Sequence, residues 1–282
     1  MHETNDQPVP DALATIVERT RSLVERRKAE EPVEELRKRI KELGRPRNFF
    51  AAVTKRDRAD ATNVIAEIKR KSPSAGWIRP EYEDDGFDPV PIAKRYHQAG
   101  AAAISCLTEP EFFAGSLGYI HQIRDAVPLP VLRKDFIVDP YQVWEARAYG
   151  ADAILLIAEC LTESALVDLM ILARELQLTT LIEVHSMENL LRVRPHVGFP
   201  SRAYGLLGIN NRDLSTMTTD LNNTLRLIDL VDDPGVLVSE SGISTPDDLS
   251  RLRRAGVHIA LVGESLMRTD DPGKALVELL GR

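Results

Sequence analysis

The chain has 282 residues, 43% hydrophobic and 28% charged, ordinary values for a globular protein with a large core. Its net charge of −7 argues against a nucleic-acid partner, because a phosphate backbone calls for a basic face, so any anionic ligand has to be held by local cations. No apolar run approaches the ~20 residues of a membrane span. The polar start Met1-His2-Glu3-Thr4-Asn5-Asp6 lacks a secretory pattern, and Cys106 and Cys160 have neither disulfide-framework nor metal spacing. A cytoplasmic protein that binds no metal, membrane or nucleic acid is expected.

In chain order, the first structured segment runs from Asp11 to Gly44, rich in Glu, Lys, Arg and Leu and broken by Pro32. It reads as two amphipathic helices, the first burying Leu13, Ile16, Val17, Leu23 and Val24. Next, Ile65-Ala66-Glu67-Ile68-Lys69 reads as a strand that turns charged at its far end. Alternate side chains of a strand share a face, so Glu67 and Lys69 point the same way. Ser72 follows in a turn set by Pro73 and Gly76, whose N–H groups and hydroxyl suit an anion. A long acidic loop then leads from Trp77 to Asp88.

Three helix-to-strand passages repeat one formula. Asp88-Pro89, Asp139-Pro140 and Thr245-Pro246 each open a helix that ends near a glycine, Gly100, Gly150 or Gly256, before a short apolar strand. A side-chain acceptor at the N-cap, proline in the first turn and glycine at the exit are the expected punctuation. The same pattern predicts strands near 64–69, 101–107, 130–134, 152–158, 179–185, 204–210, 235–239 and 258–263. They are apolar on both faces, as parallel strands covered by helices are. Eight of them predict an α/β fold, a (β/α)8 TIM barrel, with residues 1–282 forming one domain and residues 1–48 an N-terminal helical extension. A doubly wound sheet shares the alternation, but its glycine-rich phosphate turn is missing after the first strand.

Barrel function collects where strands end. Those ends carry Glu67 and Lys69, Lys134, Glu183, Asn210 and Arg212, then Ser239-Glu240-Ser241-Gly242 and Gly263-Glu264-Ser265. Charges of both signs are expensive to enclose without purpose. Ser241, Gly242, Gly263 and Glu264 follow the last two strands, the usual barrel phosphate site. Lys134 is expected to act as a general acid with its pKa lowered by burial, and Glu183 as a base with its pKa raised. His185, two residues on, reads as a packed or loop histidine.

Seven ordered segments, at 65–76, 107–116, 131–142, 181–185, 208–214, 239–244 and 261–268, together with the helical prefix, resemble the indole-3-glycerol phosphate synthases of tryptophan biosynthesis. The resemblance implies ring closure of 1-(2-carboxyphenylamino)-1-deoxyribulose 5-phosphate, with loss of carbon dioxide and water, and no cofactor. It implies catalytic roles for Lys134, Glu183, Lys69, Glu67 and Asn210, and substrate binding by Ser72 and Arg212. Phe113, Phe136, Leu181 and Leu214 would wall the aromatic ring, and Ser241, Gly242, Gly263 and Glu264 would hold the phosphate. The expected partner is this one phosphorylated small molecule, bound by a monomer, with a weak dimer as the alternative. A phosphate-binding barrel isomerase and a non-catalytic metabolite sensor are the rival readings.

Overall fold

The computed structural model describes residues 12–83, 86–213 and 218–282. Helices α1 (Ala12–Glu30), α2 (Val33–Glu42) and α3 (Phe49–Thr54) come first, with Pro32 between α1 and α2 in an extended conformation that no α-helix continues through. Among the described residues, eight parallel strands then close a barrel in sequence order: β1 (Asn63–Ile68), β2 (Ala103–Leu107), β3 (Val131–Lys134), β4 (Ala153–Ile157), β5 (Thr179–Val184), β6 (Gly205–Asn210), β7 (Leu237–Glu240) and β8 (Ile259–Val262). Closure comes from β1, which pairs with both β2 and β8. Each strand lies within two residues of its predicted ends.

The outer ring contains α4 (Pro89–Gln98), α5 (Gly118–Ala126), α6 (Pro140–Ala148), α7 (Glu163–Glu175), α8 (Met187–Val193), α9 (Asn222–Leu227), α10 (Pro246–Arg254), α11 (Glu264–Met267) and α12 (Pro272–Leu279). Their punctuation is the one the sequence suggests. Asp88, Asp139 and Thr245 accept from the N–H groups of Val90, Tyr141 and Asp248, and Asp248 accepts in return from the Thr245 N–H. Gly100, Gly150 and Gly256 leave their helices at φ +85, +92 and +91, where a side chain would be strained.

Strand alternation divides the core. Ile65, Leu132, Leu155, Leu181, Leu206, Val238 and Ile259 fill the barrel, and Phe49 and Val53 of α3 close the end where strands begin. Val64, Ile104, Ile154, Ile182, Leu207 and Ala260 face the helices. Carried one layer further, the inward parity delivers Glu67, Lys134, Glu183, Asn210 and Glu240 to the opposite end of the barrel.

The N-terminal helices dock on α6. Arg27 pairs with Glu145 at 3.1 Å and Lys28 with Asp139 at 2.7 Å, while the Tyr141 hydroxyl donates to the Arg27 and Glu31 carbonyls. Val24 and Leu36 pack with Tyr141 and Ala148. Ile16 and Val24 are buried as expected, but Leu13, Val17 and Leu23 are only half-buried, and Thr20 joins the buried stripe. Anchored at its far half, α1 brings Leu13 and Ile16 to the cavity described below.

Phe49 has no exposed surface, so Phe49→Ala is expected to cost about 3–5 kcal/mol in denaturant unfolding. A loss under ~1 kcal/mol would mean that α3 does not close the barrel core.

Candidate active site

At the strand C-termini lies a cavity of about 440 Å³. Its floor is a cluster of ionisable and polar groups from the ends of five strands. Lys134 Nζ lies 2.9 Å from Glu183 Oε2 and 3.5 Å from Glu240 Oε2. Lys69 Nζ lies 2.8 Å from Glu67 Oε1, and Asn210 Nδ2 donates to Glu183 Oε1 at 3.2 Å. Two glycines make room for the acids. A Cβ on Gly208 would run into Glu240 Oε1, and one on Gly263 into the Glu67 carboxylate.

The electrostatics overturn two expectations. Burial alone would lower the Lys134 pKa, but the charges of Glu183, Glu240 and Glu67 outweigh it and hold the ammonium well above its ordinary value. Burial alone would raise Glu183, yet the charges of Lys134 and His185 keep it below the usual carboxylate range. The acid driven upward is Glu240, first by burial and then by the neighbouring Glu183 charge. The cluster thus sets a strongly held cation beside one acid driven down and one driven up.

Glu240 is the residue that strand-end reading passed over, quoting it only within Ser239-Glu240-Ser241-Gly242. The signal was parity: it lies two residues past the inward Val238 and pairs in register with Asn210.

Around the floor, Phe113 and Phe136 form an aromatic wall with ring centroids 6.1 Å apart. Leu107, Leu155, Ile157 and Leu261 continue the apolar lining. Leu181 does not reach it: fully buried two residues before Glu183, it packs one layer down in the barrel interior, so the expected ring contact is corrected. Leu214 lies outside the described residues.

Ser72, Arg212, Ser241, Gly242, Gly263 and Glu264 meet at the rim. Ser72 is buried in the tight turn formed as Lys71–Ser72 pairs with Gly76–Trp77, and its Oγ accepts from the Ala75 N–H. Arg212 spans the mouth, donating to Ser74 Oγ at 2.8 Å and pairing with Glu264 at 3.2 Å. Ser241 and Gly242 both take left-handed conformations, at φ +66 and +74, which turn the chain sharply after β7. Arg268, which sequence reasoning also missed, pairs with Glu264 at 2.8 Å. With two guanidinium groups on its carboxylate, Glu264 presents little net negative charge to an anion at this end.

Behind the cavity, residues beside Lys134 are locked. Arg133 has no exposed surface and pairs with Asp135 and Glu145, each at 2.9 Å, while Thr108 Oγ1 donates to Asp135 at 2.6 Å. Asn211 donates to Ser239 Oγ and to the Ser241 carbonyl, fixing the β7 turn. His185, expected as a packed or loop histidine, is packed against two carboxylates. Its Nε2 lies 3.3 Å from Glu183 Oε1 and its Nδ1 3.1 Å from Glu159 Oε2.

A family model described as indole-3-glycerol phosphate synthase matches residues 13–279. The chain is 47% identical over 259 residues to the indole-3-glycerol phosphate synthase of Rhodopirellula baltica, covering 92% of this chain and 95% of the relative. It is 46% identical to the Salinibacter ruber protein of the same name, with 95% and 94% covered. Among solved structures, 3-hexulose-6-phosphate synthase from Salmonella typhimurium matches with a TM-score of 0.58 at 12% identity, over 78% of this chain and 97% of that one. A mutant tryptophan synthase alpha-subunit from Pyrococcus furiosus matches at 0.55 and 13%, over 78% and 98%. At that identity the two structures speak for the barrel fold alone, while the family model and the relatives cover nearly the whole chain. The chain belongs to the indole-3-glycerol phosphate synthase family.

Proposed function

We propose that this cavity performs the reaction for which the family is named, with Lys134 as general acid and Glu183 as the paired base. The observation that carries the reading is the Lys134 ammonium held between Glu183 and Glu240, at the floor of a cavity walled by Phe113 and Phe136 and rimmed by cations. The substrate, 1-(2-carboxyphenylamino)-1-deoxyribulose 5-phosphate, has an aromatic ring, a carboxylate and a phosphate. The cavity offers an apolar wall, Lys69 and Arg212, and the turns at Ser241-Gly242 and Gly263-Glu264, in which Glu264 acts through its backbone N–H.

In the first step the ring carbon that bears the carboxylate attacks the ribulose carbonyl. Lys134 gives its proton to the carbonyl oxygen, which becomes a hydroxyl. Departure of carbon dioxide returns the C–C bond electrons to the ring and restores aromaticity. The hydroxyl then leaves as water after taking a second proton from Lys134, which solvent has reloaded, and Glu183 removes a proton from the neighbouring carbon to complete the indole. Holding ring carbon and carbonyl together is itself worth about 7–11 kcal/mol of barrier.

The unusual pKa pattern suits this sequence. A lysine held well above its ordinary pKa stays loaded with its proton but is a weaker acid, so it gives that proton up only to the strongly basic alkoxide that ring attack creates. Once it has given that proton, the charge that kept Glu183 acidic is gone, so Glu183 becomes a stronger base when a base is needed. Lys69, fixed by Glu67, is placed to hold the substrate carboxylate, and Asn210 keeps Glu183 oriented. A monomer is taken as the working unit, and the described part of the N-terminal extension, through Leu13 and Ile16, belongs to the same barrel domain. A cytoplasmic location fits a pathway intermediate as substrate. Sugar isomerisation would need fewer fixed cations, and a sensor would need no acid–base pair.

Adding the substrate to purified protein, with no metal or coenzyme, is expected to generate indole fluorescence. Lys134→Ala and Glu183→Gln are each expected to lower kcat by about 10²-fold or more. Binding without turnover would point to the sensor, and an unchanged kcat in either variant would remove that residue from its role. Gly208→Ala, whose methyl would displace the Glu240 carboxyl, is expected to lower kcat by about tenfold or more. A normal rate in that variant would show that the position of Glu240 is immaterial.

A further inference from the structure

Two carboxyls, Glu183 and Glu240, face one ammonium from neighbouring positions at 2.9 and 3.5 Å. At so small a difference Lys134 alone does little to decide which of them is ionised, and two adjacent buried carboxyls do not readily ionise together. A second positive group that touched only one of them would decide it.

His185 is such a group. It leaves the end of β5 and lies between Glu183 and Glu159, which belongs to the turn after β4, and it contacts both carboxylates. Its side chain is only 9% exposed, against 3% for Glu183 and 17% for Glu159. The Glu159 carboxylate also accepts from the His185 backbone N–H at 2.9 Å, and Asn223 donates to the His185 carbonyl, so the ring is held from below as well as from the side. Neither His185 nor Glu159 lines the cavity, so both would act through Glu183.

We propose that His185, backed by Glu159, is a positioning residue that assigns the single negative charge of the Glu183–Glu240 pair to Glu183. The largest influences on Glu240 are burial, Glu183, Lys134 and Glu67, none of which is a second cation. The ionisable groups facing the imidazole are Glu183 from β5, Glu159 from the turn after β4, and Lys134 from β3. Burial opposes protonation of the ring and Lys134 opposes it weakly, but the Glu159 and Glu183 carboxylates, 3.1 and 3.3 Å away, raise its pKa above the ordinary value. The two carboxylates thus favour the charged ring, which would maintain Glu183 as the base while Lys134 is discharged.

The sign of the effect follows from charge alone. Removing a cation beside an ionised carboxylate destabilises the ionised form and raises its pKa. The acid limb of kcat/KM, where the base becomes protonated, then moves to higher pH. Because Glu183 and Glu240 are coupled, the limb reports the pair.

The inference rests on the synthase reading, which wild-type turnover tests separately. The experiment compares kcat/KM against pH for wild type, His185→Gln, His185→Lys and Glu159→Gln, with thermal melting to confirm folding. His185→Gln is expected to raise the acid limb by about one pH unit, a tenfold loss of kcat/KM on that limb, with KM for the substrate little changed. His185→Lys restores a cation and is expected to recover most of the loss. Glu159→Gln is expected to shift the limb in the same direction as His185→Gln by a smaller amount, and it keeps the idea testable if the His185 variants misfold. An unmoved acid limb in His185→Gln, or in Glu159→Gln should the His185 variants misfold, would overturn the proposal. Equal impairment of the glutamine and lysine variants would overturn it too, since only the ring's shape would then matter. Absence of turnover in the wild type would instead count against the synthase reading.

Discussion

The Lys134 ammonium, enclosed with carboxyls at the floor of a barrel, is the constraint from which the rest follows. A lone buried charge there would be prohibitive, and a lone buried pair would be of little net benefit to stability. Glu183 pairs with Lys134 directly, and Glu240, close behind, is driven toward its neutral form because a second anion has no cation to itself. That arrangement gives the site an acid that is always charged and a base whose strength depends on the acid's state. The two groups are thus one device, and neither pKa has meaning without the other.

The scaffold is built to keep that device in register. Inward parity on β3, β5 and β7 places the three side chains in one layer, and Gly208 leaves the space that Glu240 fills. On the far side of β3, Arg133, Asp135 and Glu145 form a buried ion-pair network whose outer end is Arg27 of α1. The helix that supplies Leu13 and Ile16 to the cavity is therefore anchored to residues adjoining Lys134. Breaking such a network from one side would leave a buried charge unpaired, so its members hold one another in place.

Much of this was legible in the sequence, for identifiable reasons. Asp88-Pro89, Asp139-Pro140 and Thr245-Pro246 mark helix starts because caps and proline act locally, and Gly100, Gly150 and Gly256 mark exits because left-handed backbone excludes side chains. From those markers the eight strands follow to within two residues. Lys134, Glu183, Lys69 and Glu67 were visible as charges at apolar strand ends, and the structure brings all four to one cavity. What the sequence did not disclose depends on distances between elements. The direction of the Lys134 and Glu183 shifts depends on how many carboxyls meet one ammonium, a three-dimensional count. Leu181 was expected as a wall from the family resemblance, but it lies two residues before Glu183, and two residues along a strand is about 7 Å of depth. That His185 packs against Glu159 was not visible, because nothing local ties it to a residue twenty-six positions away.

The central claim, one ionised and one neutral carboxyl around Lys134, is open to direct observation by infrared spectroscopy on protein labelled with carbon-13 at its glutamate carboxyls. At neutral pH the account predicts a protonated-carboxyl band that disappears in Glu240→Gln. A band retained in Glu240→Gln, or no protonated carboxyl in the wild type at neutral pH, would contradict it.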